Sequence, residues 1–299
     1  MRSQCQWECT RLRLSKGLRA SDDSEPLWQL HGNPLEGDAP PRCAESIPIP
    51  RVPGAFLIKG VLSHSECEML AGLTEHLGFT SGTSIVEVPR TVRTNDVAVV
   101  VVPPETCAAL SSRLAPFVPR NGHGSATRTD PTFVNRRWRC YRYLGGDDAQ
   151  RFGPHYDGAQ PQSAVIDHSL VDDEPAKGVQ RLSQMSILLY LNEPHCGGET
   201  IFYPNGDATR AADAVKVAPC TGAALCFWHG HHPLSPMHEG APLQSEGASQ
   251  TAAPKLVIRT DVMYATEALV QKGHEWSSSS YAAAMLHASS VWGQQSSEK

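Results

Sequence analysis

The sequence predicts a mainly β chain of the α+β kind, with a jelly-roll or sandwich core in its second half and flanking helices on the N-terminal side. Three observations predict it. After about Phe133, short runs rich in aromatic and β-branched residues alternate with Gly, Pro, Asn and Asp turns. Between Ile47 and Phe133, two segments show helical apolar spacing with defined ends. The β half lacks the strand-helix-strand alternation that builds a parallel sheet.

Residues 1–45 carry Trp7 and Trp28 among scattered charges and Pro34, Pro40 and Pro41, without a sustained period, and are expected to form a poorly ordered extension. Residues 46–132 form a helical support region. Ser63-His-Ser-Glu66 has the S-x-x-E form of a capping box ahead of Leu70, Leu73 and Leu77, and Gly78 closes that helix. A second helix runs from Glu105 to Leu114, entered through Pro103 and Pro104 and stopped before Pro116. Residues 133–266 are the jelly-roll domain. Its expected strands are 137–143, 153–156, 185–191, 200–203, 214–217, 223–228 and 255–264. Two polar insertions, 160–178 and 243–254, read as mobile loops, and residues 267–299 as a C-terminal helix and tail.

Lys and Arg total 26 against 31 Asp and Glu, a net charge of -5 without a dense basic run, so a nucleic-acid-binding module is not expected. Apolar stretches such as 98–102 and 186–191 fall far short of the roughly 20 residues that cross a bilayer. No membrane association is expected. The nine cysteines contain no CxxC pair, which argues against structural zinc and, with no apolar leader near Met1, for free thiols in a cytoplasmic setting. Arg2, Arg11, Arg13, Lys16 and Arg19 are opposed only by Glu8, so organellar targeting stays open.

The chemistry concentrates in Phe152-Gly-Pro-His155-Tyr-Asp157-Gly158. In a strand, residues i and i+2 share a face, so His155 and Asp157 present an imidazole and a carboxylate side by side. His238, between two apolar strands, supplies a third group. Two His and one carboxylate on one face of a metal make the facial triad of non-haem Fe(II) oxygenases. Taken alone the His-x-Asp pattern is weak, because 13 His and 31 acids produce one by chance. His229, His231 and His232 compete for the third position but read as exposed loop histidines.

Further pieces occur in a fixed order: Arg142-Tyr143-Leu-Gly145, the His155/Asp157 pair, Leu188-Leu-Tyr190-Leu-Asn192, Gly197-Gly-Glu-Thr200-x-Phe202, Val217-x-Pro219-x-x-Gly222-Ala-Ala-Leu225-x-Phe227, His238-Glu-Gly, and Lys255 through Arg259-Thr-Asp-Val-Met-Tyr264. In these pieces the chain, from about Trp138 to Tyr264, resembles the prolyl 4-hydroxylase-like branch of the Fe(II)/2-oxoglutarate-dependent dioxygenases. The resemblance implies a double-stranded β-helix and Fe(II) held by His155, Asp157 and His238 as the catalytic centre. It implies 2-oxoglutarate as co-substrate, chelating the iron through its 1-carboxylate and 2-oxo group, with O2 and ascorbate. Its 5-carboxylate then meets a cation on the last strand: bidentate pairing favours Arg259, with Lys255 as the alternate. The resemblance further implies that Tyr190 helps hold that carboxylate and that Tyr143 lines the pocket, and Thr200, after the paired glycines, is expected to face the co-substrate. The implied reaction hydroxylates a C–H bond of a protein, peptide or small molecule, peptidyl proline or a related group, with release of succinate and CO2. Asp157 disfavours a halogenase, in which that ligand is missing. The alternative reading is a non-catalytic jelly-roll binding protein that retains a metal pocket. The sequence gives no indication of oligomeric state.

Overall fold

The computed structural model describes residues 7–14, 27–36, 45–81, 92–120, 131–172, 179–244 and 253–267. Eight strands build the core of the β half: β1 Arg137–Tyr143, β2 Phe152–His155, β3 Val179–Tyr190, β4 Thr200–Tyr203, β5 Val215–Val217, β6 Ala224–Trp228, β7 Met237–Gly240 and β8 Lys255–Glu267. They pair antiparallel in the order β1-β8-β3-β6 within a large sheet and β2-β7-β4-β5 in a small one. The chain thus passes repeatedly from one sheet to the other, which is the expected double-stranded β-helix.

Strand alternation sorts the side chains of the large sheet. Tyr141 and Tyr143 of β1, Tyr190 of β3, Leu225 and Phe227 of β6 and Val257 of β8 pack in one cluster with Phe202 of the small sheet. Their neighbours Cys140, Ile187, Leu189, Cys226 and Ile258 belong to a second cluster on the opposite face. That outer face is covered by α1 His64–Leu77 and α2 Pro104–Leu114, through Leu70, Leu73, Leu77, Leu110 and Leu114. The Ser63 and Glu66 side chains complete the capping box, and Gly78 ends α1 at φ 74. Glu66 also takes a two-point pair from the buried Arg113 of α2, at 2.7 and 2.8 Å, tying the helices together.

Of these eight strands, one was not legible. Met237–Gly240 has no apolar alternation, and it is extended because β2 and β4 supply ladder partners on both sides. The expected poorly ordered extension is also corrected where it is described. Glu8–Arg11 pairs with Leu27–His31, which pairs with Asp96–Val101 and so lengthens the large sheet beyond β1. Leu27 and Leu30 enter different clusters, one on each face, which hides any single-face period. Deleting residues 1–40 removes Leu12, Leu27, Leu30 and Leu35 from the core. Truncating one buried leucine costs about 2–5 kcal/mol, so the urea midpoint of the shortened chain should fall steeply. An unchanged midpoint would mean these strands contribute nothing.

The insertion expected to be a mobile loop at 160–178 is, over its described part, a hairpin of Ser163–Ile166 and Ser169–Asp172. Asp167 and His168 turn it with φ of 48 and 57, the conformation of a tight hairpin turn. Its second strand pairs with Arg13–Leu14. Residues 173–178, most of the second insertion (245–252) and the expected C-terminal helix and tail (268–299) lie outside the described residues. Among the described residues no helix is long and apolar enough to cross a membrane, and the seven described cysteines form no disulfide.

Candidate active site

The two strands that meet in the small sheet bring two histidines together. His155 of β2 and His238 of β7 are cross-strand partners, with ring centroids 4.4 Å apart. Asp157, two residues beyond His155, turns its carboxylate to both: Oδ1 lies 3.4 Å from His155 Nε2, and Oδ2 lies 3.6 Å from His238 Nε2. The three donor atoms fall within 4.8 Å of one another. His155 Nδ1 is 2.8 Å from the Gly153 carbonyl, and His238 Nδ1 is 3.2 Å from that of Pro236. Each Nδ1 therefore carries the proton, which leaves each Nε2 lone pair directed at the shared centre. Phe152 stacks on His155 at 3.7 Å, and Phe227 meets His238 at 4.6 Å, fixing the rings in an apolar surround.

The charge states suit a metal. For Asp157, burial alone pushes the carboxyl up, but Arg259, His238 and His155 outweigh it and hold it well below the usual range. Burial, then the adjacent His155, lowers His238 to about 3, so its imidazole is neutral near pH 7. Asp157 Oδ1 is buried and faces the Arg259 guanidinium, with Nη1 at 2.7 Å. Two histidine Nε2 atoms and one carboxylate, all buried and within 4.8 Å of one another, fit a divalent first-row metal.

Below this centre the cavity is walled by β1, β3, β4 and β8, among them Tyr143, Thr200, Lys255, Val257 and Arg259. Lys255 stands opposite Tyr143 in the ladder, and Arg259 stands opposite Leu188 on one side and Arg139 on the other. The two cations, read as rivals in the sequence, have different surroundings. Arg259 Nη1 lies 2.7 Å from Asp157 Oδ1 and its Nη2 3.2 Å from Asp261 Oδ1. Lys255 is 2% exposed, with its Nζ 4.7 Å from the Tyr143 ring centroid and 5.8 Å from that of Tyr190. Among the described residues no carboxylate forms an ion pair with Lys255. Burial lowers its ammonium to about 7, only partly offset by the charge of Glu199. Tyr190 and Thr200 share a 2.8 Å hydrogen bond beside it. Gly240 has a steric reason: a Cβ there would stand 2.6 Å from the Tyr143 hydroxyl.

The histidine-rich segment differs from its reading. His229 is buried, not exposed: its Nδ1 is 2.8 Å from Ser186 Oγ and its Nε2 2.8 Å from Ser183 Oγ. His232 is buried as well, stacked on Trp228 at 3.9 Å, and only His231 is exposed. None of the three joins the metal-competent group. Sequence reasoning gave Ser186 and Asp261 no role and read His229 as an exposed loop residue. The parity of Ser186 with Tyr190 on β3, and of Asp261 with Lys255 on β8, was the available signal.

The fold is a double-stranded β-helix in which two His and one Asp form a group that could hold a metal ion, near a buried lysine. Neither a family model nor a curated protein matches the sequence. Among solved structures the chain is similar to the viral collagen prolyl hydroxylase of Paramecium bursaria Chlorella virus-1 in its 2-oxoglutarate complex. That likeness has 17% identity, covers 71% of this chain and 96% of the viral one, and gives a TM-score of 0.41. A truncated form of the same protein gives 17% identity, 78% and 98% coverage and a TM-score of 0.40. A 2OG-Fe(II) oxygenase family oxidoreductase from Burkholderia pseudomallei gives 13%, 70% and 85%, and 0.41.

Proposed function

We propose that the chain is an Fe(II)/2-oxoglutarate-dependent dioxygenase that hydroxylates a C–H bond of a protein, peptide or small-molecule substrate and releases succinate and CO2. The single observation that carries this reading is the convergence of His155, Asp157 and His238 above a cavity that holds a buried lysine. His155, Asp157 and His238 would hold the iron, which when bound supplies the oxygen chemistry. Three protein ligands on one face leave room for co-substrate and O2 on the other. Lys255 is the cation we assign to the 5-carboxylate of 2-oxoglutarate, because Arg259 is already committed to Asp157 and Asp261. The Tyr190 and Thr200 hydroxyls stand beside that position to hydrogen-bond the same carboxylate. Phe152, Phe202 and Phe227 keep water from the histidines. Peptidyl proline is the first substrate class to test, on the strength of the motif order, with ascorbate as reductant.

The test is succinate formed from 2-oxoglutarate in the presence of Fe(II), O2 and ascorbate. Iron-dependent succinate supports the reading, and metal binding with no succinate under any substrate pool favours a binding protein. Lys255 adds a pH signature. The anchor must be an ammonium when the carboxylate binds, and in the free protein it loses its proton above about 7. Binding then requires proton uptake, so the apparent 2-oxoglutarate constant should rise by up to about tenfold per pH unit above neutrality. Below neutrality it should be flat in this respect. A constant that falls with rising pH would exclude Lys255 as the anchor.

A further inference from the structure

We infer that Ser186 and His229 are positioning residues that lock the Asp157 carboxylate by a directed chain of hydrogen bonds and so fix the orientation it presents to the metal; this rests on the metal-site reading above. Ser186 Oγ lies 2.6 Å from Asp157 Oδ2. An ionised carboxylate only accepts, so the single Ser186 proton goes to Asp157. The 2.8 Å contact from His229 Nδ1 to Ser186 Oγ must then be donated by the imidazole. Burial lowers the His229 pKa, so its ring is neutral and its Nε2 carries no proton. That nitrogen accepts from Ser183 Oγ at 2.8 Å, and Ser183 Oγ accepts in turn from the Gln160 backbone N–H at 2.8 Å. Every hydrogen in the series has one permitted direction, ending on Asp157 Oδ2.

Ser183, Ser186 and His229 are at most 1% exposed, so water does not compete for these bonds. The same segment holds the backbone of Asp157, since the Gly230 N–H donates to its carbonyl at 2.9 Å. The carboxylate is therefore held at its main chain and at Oδ2, while Oδ1 faces the Arg259 guanidinium at 2.7 Å. Outer partners of this kind set ligand orientation, and losing one typically costs about 10–100-fold in metal affinity.

The experiment measures Mn(II) affinity by the paramagnetic resonance of free Mn(II), and the visible absorption of the Co(II)-loaded protein, in the full-length chain and four variants. Ser186→Ala and His229→Gln should weaken Mn(II) about 10–100-fold and shift the Co(II) bands. Gln moves the amide away from the Nδ1 position, whereas His229→Asn places a donor there and should stay near the parent value. His231→Asn, at the exposed neighbour, should change neither measurement. Parent-like affinity and spectrum in Ser186→Ala overturn the inference, as do equal losses in His229→Asn and His229→Gln, which indicate packing alone. A parent protein that binds no metal overturns the metal-site reading itself.

Discussion

Asp157→Ala is expected to bring 2-oxoglutarate turnover to background. The carboxylate is one of three donors within 4.8 Å, and its removal leaves two imidazoles on neighbouring strands. It also strips Arg259 of the partner at 2.7 Å. Arg259 keeps Asp261 at 3.2 Å, but the buried charge network loses one member, which lowers stability as well as activity. Asp157→Asn separates the two effects, since it keeps the volume and the Ser186 hydrogen bond but removes the anionic ligand. Circular dichroism and a urea midpoint on each variant show how much fold remains. Turnover at the parent rate in either variant would refute the ligand assignment.

Lys255→Ala should raise the apparent 2-oxoglutarate constant by about two to four orders of magnitude, from the roughly 3–5 kcal/mol lost when one member of a buried charge pair is removed. Arg259→Ala should differ in kind. That guanidinium bridges Asp157 and Asp261, and Arg139 stands 3.2 Å beyond on Asp261, so the buried charges alternate in sign. Its loss leaves two carboxylates facing each other, which should lower stability and metal affinity and change the 2-oxoglutarate constant less than Lys255→Ala does. Titration calorimetry on the Mn(II)-loaded variants distinguishes these outcomes. The reverse order would return the anchor to Arg259, as bidentate pairing alone suggests.

Much of the centre was legible because strand parity is a local property. His155 and Asp157 sit two residues apart, and Lys255, Arg259 and Asp261 share one face of β8. The choice between Lys255 and Arg259 was not legible, because it depends on which carboxylates the fold delivers to each cation. His229 was misread for a related reason. It follows β6 directly, and its burial arises from Ser183 and Ser186 some 43–46 residues earlier in the chain. The N-terminal strands escaped notice because Leu27 and Leu30 are buried on opposite faces of a covered strand. Met237–Gly240 escaped because its extension is imposed by β2 and β4.

The central claim is that one Fe(II) and one 2-oxoglutarate meet at His155, Asp157 and His238. Anaerobic addition of both to the protein, followed by visible absorption, tests it most directly, because a 2-oxo acid chelated to Fe(II) gives a charge-transfer band that neither component gives alone. The expected result is a band that saturates at one equivalent of each and disappears in His238→Ala and Asp157→Ala. A band that persists in both variants, or none in the parent protein, would contradict the claim.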